Sequence, residues 1–290
     1  MTLPRVGVVG VGAMGMGIAK ALLGKGFPVF VRDLIAEREE EALRAGAQRL
    51  TGDVDVLVSV VVDAAQTRAV VEEHGARARA FMMCSTIAPA DATKFAAALQ
   101  AVEVEMLDAP ISGGPARAHA GTLSMMAAGS DAAFERCRPV IDATSSKCFE
   151  ISGKAGDGSR MKVVNNMLAA ANLAAGCEAM AMAALLGLDL KQAAEVVQAS
   201  SGASWIFGDR MPRALAGDYS PKAAARVLLK DVGLFVHAAR TLGLTAPMAE
   251  CAQEIFADTV ARGFAEEDDG VVLKRYAEAW RVELPGDTAP

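Results

Sequence analysis

The sequence has few cysteines and histidines, and neither residue type is spaced as metal ligands are. Its five cysteines are scattered without a C-x-x-C pair, and its three histidines lie far apart. This pattern excludes a structural zinc of the usual kind, so no metal site is predicted. Scattered cysteines are also typical of the reducing cytoplasm, which is the expected location.

Long runs of basic residues and long uninterrupted apolar runs are absent too. The net charge is −6, which disfavours nucleic acid as a partner. After Arg5 the N-terminal residues have the pattern of a strand and not of a signal peptide. The longest apolar stretch, residues 168–188, is mostly alanine and includes Asn172 and Glu178. It predicts a buried helix, and no membrane partner is expected.

The pattern of the remaining residues divides the chain in two. In the first part, short β-branched or apolar runs at residues 5–10, 27–33, 53–62, 79–86 and 104–110 alternate with helical stretches such as 37–45. This alternation predicts an α/β fold, a Rossmann-like doubly wound parallel sheet over residues 1–163. Alanine, leucine and methionine at helical spacing then predict an all-helical domain of five or six helices over residues 164–290. The tail after Pro285 is expected to be disordered.

A glycine fingerprint lies between the first predicted strand and the first predicted helix. It reads Gly10-Val11-Gly12-Ala13-Met14-Gly15. Gly10 allows a tight turn, Gly12 lets the backbone approach a pyrophosphate, and Gly15 lets the helix pack closely on the strand. The strand–turn–helix context therefore predicts a dinucleotide site at these residues, whereas the alternative is a glycine-rich turn that only packs.

Asp33 ends the second predicted strand, slightly more than 20 residues beyond Gly10. An acid at this position accepts hydrogen bonds from the ribose hydroxyls of NAD and repels a 2′-phosphate. NAD is therefore the predicted cofactor. NADP is the alternative cofactor, because the adjacent Arg32 can bind a 2′-phosphate.

Two further segments have polar residues where predicted strands end. Ser112, Gly113 and Gly114 form a turn whose backbone N–H groups suit a carboxylate or another anion. Ser85 and Thr86 follow another strand, at the edge of the sheet where ligands gather. Either segment alone is also compatible with an ordinary turn.

Lys162 and Asn166 are the most informative pair in the chain. They follow a glycine-rich stretch, and their spacing of four residues places them on one face of a predicted helix. A lysine can transfer a proton, and an amide beside it can hold a substrate oxygen. The alternatives are a solvated helix lysine and a surface amide.

Four motifs in this order resemble the β-hydroxyacid dehydrogenase (3-hydroxyisobutyrate dehydrogenase) family over nearly the whole chain. They are VGVVGVGAMGMGIAKAL (6–22), DAPISGGPARAHAGTLSMMAAG (108–129), GDGSRMKVVNN (156–166) and LLKDVGL (228–234). Within the family, VSVVVDAAQT, ISGG, SWIFGDRMPRALAGDYSP and EEDDGVV are most similar to the L-threonate dehydrogenase branch, which acts on four-carbon sugar acids.

The resemblance implies a role for each matching residue. Lys162 would be the general acid/base, and Asn166 would hold the reacting oxygen. The carboxylate of the substrate would bind at Ser112, Gly113 and Gly114. The cofactor would meet the glycine fingerprint, Asp33, Val62, Asp63, Thr86 and Lys230.

Two residues depart from the expected pattern of the L-threonate branch. Arg226 stands four residues before Lys230, where an acidic residue is expected. This departure favours a more anionic substrate. Gly270 replaces a usual serine in EEDDGVV, which predicts a looser helix start.

The implied reaction removes a hydride from a carbinol carbon and a proton from its hydroxyl. A neutral lysine can accept that proton and can return it on reduction. The alternative substrates are 3-hydroxyisobutyrate and tartronate semialdehyde. An imine reductase and a non-catalytic nucleotide-binding module are further alternatives, but Lys162 argues against both. The apolar surface of these helices has to be buried, so a homodimer or homotetramer that forms through the helical domain is expected.

Overall fold

A computed structural model describes residues 2–284, and the chain divides into two compact units. The first unit ends at Lys162 and the second begins at Val163. The boundary predicted from the sequence lies one residue further along, after residue 163. The predicted disordered tail lies outside the described residues.

The centre of the first unit is a parallel sheet. Its strands are β1 (Val6–Val9), β2 (Val29–Arg32), β3 (Gln48–Arg49), β4 (Val54–Ser59), β5 (Ala78–Met83) and β6 (Glu105–Asp108). They run in the order β3-β2-β1-β4-β5-β6, and Val6 of β1 pairs with Val29 on one side and Val56 on the other. This order reverses direction at β1, as in a doubly wound fold, so the predicted fold class is confirmed.

The central strands β1, β4 and β5 are buried on both faces over most of their length, which explains the nearly continuous apolar runs in the sequence. Val56 and Val58 point into one apolar cluster, while Leu57 between them belongs to the other. The same alternation separates Met82 from Phe81. The helices of the unit are α1 (Ala13–Gly24), α2 (Ala36–Arg44), α3 (Ala64–His74), α4 (Pro89–Gln100), α5 (Gly114–His119) and α6 (Asp131–Thr144).

Three strands beyond β6 were not assigned from the sequence. They are β7 (Ile111–Ser112), β8 (Leu123–Ala128) and β9 (Ser145–Ser152). β8 is antiparallel to β6 and β7 and parallel to β9, so the sheet is mixed at this end. β7 has only two residues, and β9 has no buried residue. Neither strand therefore has the apolar pattern on which the assignment of strands depends.

The second unit is built from helices, as predicted. α7 (Asp157–Leu185) starts in the first unit and continues into the second. It is followed by α8 (Leu190–Gln198), α9 (Trp205–Leu215), α10 (Ala225–Thr241), α11 (Pro247–Thr259) and α12 (Val272–Trp280). An apolar cluster connects them, and Leu173, Phe207 and Phe256 are among its buried members.

α7 is long and apolar enough, by length and composition, to cross a membrane. Core helices of globular proteins pass the same test, and Leu173, Cys177 and Met180 of α7 are buried in the cluster of the second unit. Met182 and Leu186 were predicted to be buried, but they are exposed in the single chain. Their relative accessibilities are 45% and 69%.

Buried ion pairs join two of the four segments that resemble the L-threonate branch. Arg210 of α9 donates to the buried Asp269 at 2.5 Å, and Arg213 donates to Asp268 at 3.1 Å. Asp268 also accepts a hydrogen bond from the backbone of Lys222 at 3.0 Å. The segments 204–221 and 266–272 are therefore held together by charges that are taken out of water, and the loss of either partner leaves an unpaired buried charge.

Candidate active site

The glycine fingerprint forms the tight turn between β1 and α1 that the sequence predicts. Gly10 has φ of +88°, and its amide donates to the carbonyl of Arg32 at 2.9 Å. A Cβ on Gly15 would lie 1.9 Å from the carbonyl oxygen of Gly10. α1 begins at Ala13, directly after Gly12, so Ala13, Met14 and Gly15 lie in its first turn. The first amides of a helix have no intrahelical acceptor and favour an anion.

The turn is open on the side of Gly12. A Cβ on Gly12 would contact only Arg38, whose guanidinium nitrogen lies 3.6 Å away. The turn therefore leaves room for a phosphate on the Gly12 side, with a cation beside it. Arg38 was not singled out in the sequence, because it lies in a charged, exposed helix where most arginines are only solvated.

Asp33 lies at the carboxyl end of β2 and is buried. Its Oδ2 accepts from the amide of Val11 at 2.7 Å, and its Oδ1 accepts from the amide of Ile35 at 2.9 Å. Asp33 therefore ties the end of β2 to the glycine turn. Arg32 is half-exposed and donates to Glu39 at 3.3 Å, so a negative side chain already neutralises the alternative phosphate ligand.

The predicted nicotinamide-side residues follow the ends of the next two strands. Asp63 caps α3 by accepting from the amide of Gln66 at 2.9 Å, and the amide of Val62 donates to the Gln66 side chain at 3.1 Å. Thr86 follows β5 and is half-buried. The glycine turn, Asp33, the Val62–Asp63 turn and Thr86 therefore all lie at the carboxyl edge of one parallel sheet, where ligands of such sheets bind.

The Ser112-Gly113-Gly114 turn is half-buried between β7 and α5. Gly113 and Gly114 have φ of +129° and +72°, and a Cβ on Gly113 would come within 2.8 Å of the side chain of Arg117. The turn places the amides at the start of α5 after a serine hydroxyl. A six-residue helix adds little dipole, so the individual N–H groups are what can hold a carboxylate.

Lys162 lies in the second turn of α7 and is not a solvated lysine. It is only 7% exposed, and its Nζ donates to the carbonyl oxygen of Ile111 at 2.8 Å. Ile111 directly precedes Ser112. The structure therefore brings the predicted acid/base next to the predicted carboxylate turn, although 51 residues separate Lys162 from Ile111 in the sequence.

The start of α7 is anchored by a residue that was missed in the sequence. Asp108 is fully buried at the end of β6, and it accepts hydrogen bonds from Gly156 and Ser159. Burial raises the pKa of this carboxyl above its usual value, while the bonds from Ser159 and Gly156 act in the opposite direction. No local spacing indicates this contact, because its partners lie 48 and 51 residues away.

Asn166 and Lys230 belong to the second unit, where Asp231 joins them. The side-chain amide of Asn166 is buried and donates to Asp231 at 2.6 Å, and Lys230 forms an ion pair with the other oxygen of Asp231 at 2.6 Å. Lys230 and Asp231 are therefore not a surface ion pair, because Asp231 is buried. Asp231, like Arg38 and Asp108, had no role assigned from the sequence.

The structure shows the contacts of Arg226 and Gly270, the two residues that depart from the L-threonate pattern. Arg226 is exposed and donates to Glu266 at 2.6 Å, one turn before Lys230 on α10. At Gly270 a Cβ would meet no atom closer than 3.4 Å, so a serine would fit. The amide of Gly270 donates to Asp268 at 3.3 Å, and this bond holds the turn before α12.

Comparison with known proteins identifies both parts of the chain. Residues 5–153 match the family described as the NAD-binding domain of 6-phosphogluconate dehydrogenase. Residues 156–276 match the family described as NAD-binding of NADP-dependent 3-hydroxyisobutyrate dehydrogenase. The fold, the glycine turn and these matches define an NAD-binding oxidoreductase that acts on a CH–OH group.

Individual relatives agree with this class. L-threonate dehydrogenase from Escherichia coli strain K12 is 38% identical and covers 97% of each chain. NAD-dependent L-serine dehydrogenase from Pseudomonas aeruginosa is 33% identical, covering 94% of this chain and 98% of its own. The crystal structure of 3-hydroxyisobutyrate dehydrogenase from Salmonella typhimurium is 40% identical, has a TM-score of 0.88, and covers 93% of this chain and 99% of its own. The chain belongs to the 3-hydroxyisobutyrate dehydrogenase family of hydroxyacid dehydrogenases.

Proposed function

We propose that this enzyme oxidises a four-carbon sugar acid such as L-threonate with NAD, and that Lys162 is the general acid/base. One observation carries the assignment of Lys162, namely its burial beside the Ser112-Gly113-Gly114 turn with Nζ 2.8 Å from the carbonyl of Ile111. The sugar-acid substrate is supported by relatives named L-threonate dehydrogenase at 35–38% identity.

Each residue has a defined task in this proposal. A bound nicotinamide supplies the hydride acceptor. The amides of Gly113 and Gly114 and the hydroxyl of Ser112 hold the carboxylate of the substrate and so orient its carbinol carbon. Neutral Lys162 takes the proton from the hydroxyl during oxidation, and its ammonium form returns the proton during reduction. Asn166, one helical turn further on, holds the reacting oxygen.

The cofactor has its own set of residues. Gly10, Gly12, Ala13, Met14 and Gly15 hold the pyrophosphate at the start of α1, and Asp33 accepts from the adenine ribose. Val62, Asp63 and Thr86 would line the nicotinamide side, and Lys230 is the further residue that this proposal assigns to the cofactor. Arg38, beside Gly12, adds a positive charge near the phosphates.

A second candidate substrate is 3-hydroxyisobutyrate, which is favoured by the similarity to the 3-hydroxyisobutyrate dehydrogenase structure. The two substrates differ in polarity beyond the reacting carbon. A pocket distinguishes two substrates that differ by one methylene by only about 1–3 kcal/mol. A pocket that hydrogen-bonds the hydroxyls of a sugar acid rejects a substrate without those hydroxyls more strongly, because its own polar groups are then left unpaired. Arg226 does not separate the two candidates, because it is exposed and its charge is already paired with Glu266.

A substrate screen tests the proposed reaction. NADH formation is measured with L-threonate, D-threonate, erythronate, glycerate and 3-hydroxyisobutyrate, and NADH consumption with tartronate semialdehyde, each also with the NADP pair. We expect the highest kcat/KM for L-threonate with NAD. The purified Lys162→Ala variant is the control for contaminating dehydrogenases. Higher kcat/KM for 3-hydroxyisobutyrate would replace the first candidate by the second, and no turnover with any hydroxyacid would contradict both.

The cofactor preference depends on Asp33. We expect a higher kcat/KM with NAD than with NADP, because a buried carboxylate repels a 2′-phosphate. Asp33→Ser should narrow the NAD:NADP ratio of kcat/KM by about 10-fold, equivalent to about 1.4 kcal/mol. Arg32→Ala is the matched variant. If Arg32 binds the 2′-phosphate of NADP, this change lowers kcat/KM with NADP and leaves kcat/KM with NAD unchanged. Equal efficiency with both cofactors in the unmodified protein would contradict the assignment of Asp33.

We also propose that the enzyme is cytoplasmic and assembles through its helical unit. The location is supported by five cysteines that are all free thiols. The assembly is supported by large apolar side chains that are exposed in the single chain, namely Leu168, Met182, Leu185, Leu186, Leu188, Val196 and Trp205. We expect sedimentation at micromolar concentration to give a dimer or tetramer, and a monomer would contradict the proposal.

A further inference from the structure

The start of α7 is fastened to the end of β6 by one buried carboxylate. Oδ2 of Asp108 accepts from the amides of Gly156 and Ser159 at 2.8 and 2.9 Å, and Oδ1 accepts from the hydroxyl of Ser159 at 2.8 Å. Asp108 and Ser159 are 0% and 1% exposed. Three charge-assisted bonds from two residues therefore fix both the position and the direction of the first helical turn.

The packing at this junction allows little movement. A Cβ on Gly158 would lie 2.4 Å from the carbonyl oxygen of Asp108 and 2.5 Å from that of Met126. The backbone of α7 at Gly158 therefore lies directly against the end of β6 and against Met126 within β8. Any shift of α7 along its axis must break these contacts or the bonds to Asp108.

Lys162 lies one helical turn after Ser159, on the same side of α7. Its Nζ reaches the carbonyl of Ile111, which is three residues after Asp108. The segment 108–111 therefore holds α7 at two points, the carboxylate at the first turn and the carbonyl at the second. The second point involves the amine that the proposed reaction uses.

We propose that Asp108 is a positioning residue that acts through Ser159 to set the place of the Lys162 amine. This inference rests on the proposed function, because it gives Asp108 a task only if Lys162 transfers the proton. A carboxylate suits the task because both of its oxygens accept, whereas an amide would direct an NH₂ group at one of the three donors. A misplacement of about 1 Å in a reacting group can cost about 10²-fold in rate.

The test is a double-mutant cycle on kcat. Ser159→Ala removes one of the three bonds and should lower kcat about 10-fold, and Asp108→Asn should lower it about 10²-fold. The Kd of NAD is expected to stay within about twofold, because neither residue contacts the glycine turn. In the Lys162→Ala background, both changes should leave the residual rate unchanged, since they act through the missing amine.

A matched control separates positioning from general loss of stability. Thr144→Val also removes a buried hydroxyl of the first unit, which donates to Val140 at 2.7 Å, but it has no bond to α7. It should lower the melting temperature less than Ser159→Ala, whose lost bond is to a carboxylate, and it should leave kcat unchanged. If Asp108→Asn does not fold, Ser159→Ala alone decides the question.

A second measurement does not depend on turnover. The rate at which an amine-reactive reagent labels Lys162, followed by mass spectrometry, should rise roughly 5–10-fold in Ser159→Ala, as expected for the loss of one buried hydrogen bond. The inference is overturned if Ser159→Ala changes neither kcat nor labelling, or if it lowers kcat equally in the Lys162→Ala background. Full turnover in Lys162→Ala itself would overturn the proposed role of Lys162, and with it this inference.

Discussion

Lys162→Ala is expected to lower kcat about 10²–10⁴-fold, the usual contribution of a positioned acid/base. The amine is buried and bonded to the carbonyl of Ile111, next to the turn proposed to hold the carboxylate. Alanine removes the proton acceptor but leaves the glycine turn and Asp33 in place. The Kd of NAD, measured by calorimetry, should therefore change little, and the protein should stay folded.

Lys162→Arg distinguishes proton transfer from simple charge binding. Arginine keeps the positive charge, but it cannot act as a base at neutral pH. We expect it to lose nearly as much kcat as alanine does. Substantial kcat in the arginine variant would show that Lys162 only binds substrate charge, and the proton would then need another acceptor.

The predictable part of the site is the part that local chemistry dictates. The Gly10–Gly15 turn needs glycines at fixed offsets between a strand and a helix, so the sequence alone indicates it. The placement of Asp33 follows in the same way, because it ends the second strand of the same unit. The alternation of strands and helices likewise predicts the parallel sheet, and its five predicted runs correspond to β1, β2, β4, β5 and β6, whereas the two-residue β3 was not predicted.

The residues that were missed depend on contacts between distant segments. Asp108 resembles any strand-end acid until the structure shows its bonds to Gly156 and Ser159, about 50 positions away. Asp231 likewise resembles half of a surface ion pair until the bond from Asn166 appears, 65 positions away. A burial pattern cannot reveal such residues, because a polar side chain at a strand or helix end is usually solvated.

The branch-specific motifs have a structural explanation as well. The segments 204–221 and 266–272 are separate in the sequence, but Arg210 with Asp269 and Arg213 with Asp268 join them in the second unit. Once buried, such pairs are costly to lose singly, so each segment depends on the other for its stability. Their joint resemblance to one branch therefore reflects a shared framework and is weaker support for a shared substrate.

Gly15→Ala should destabilise the first unit. Gly24→Ala, on the same helix, should leave the free energy of unfolding unchanged or raise it. At Gly15 the added Cβ would lie 1.9 Å from the carbonyl oxygen of Gly10 and 2.9 Å from its carbonyl carbon, so backbone must move. Overpacking of this kind costs about 1–3 kcal/mol or more. At Gly24 nothing lies within 4 Å of the new atom.

The two variants make the same chemical change in α1, so they separate packing from helix propensity. Gly24→Ala should leave the free energy of unfolding unchanged or raise it by up to about 1 kcal/mol, because alanine is the better helix former. Gly15→Ala should lower that free energy and weaken NAD binding by at least about 10-fold, since the turn that holds the phosphates is displaced. Chemical denaturation gives the first quantity and calorimetry the second. A Gly15→Ala protein with native stability and native NAD affinity would mean that the turn can open without cost, and the fingerprint would then have no steric basis.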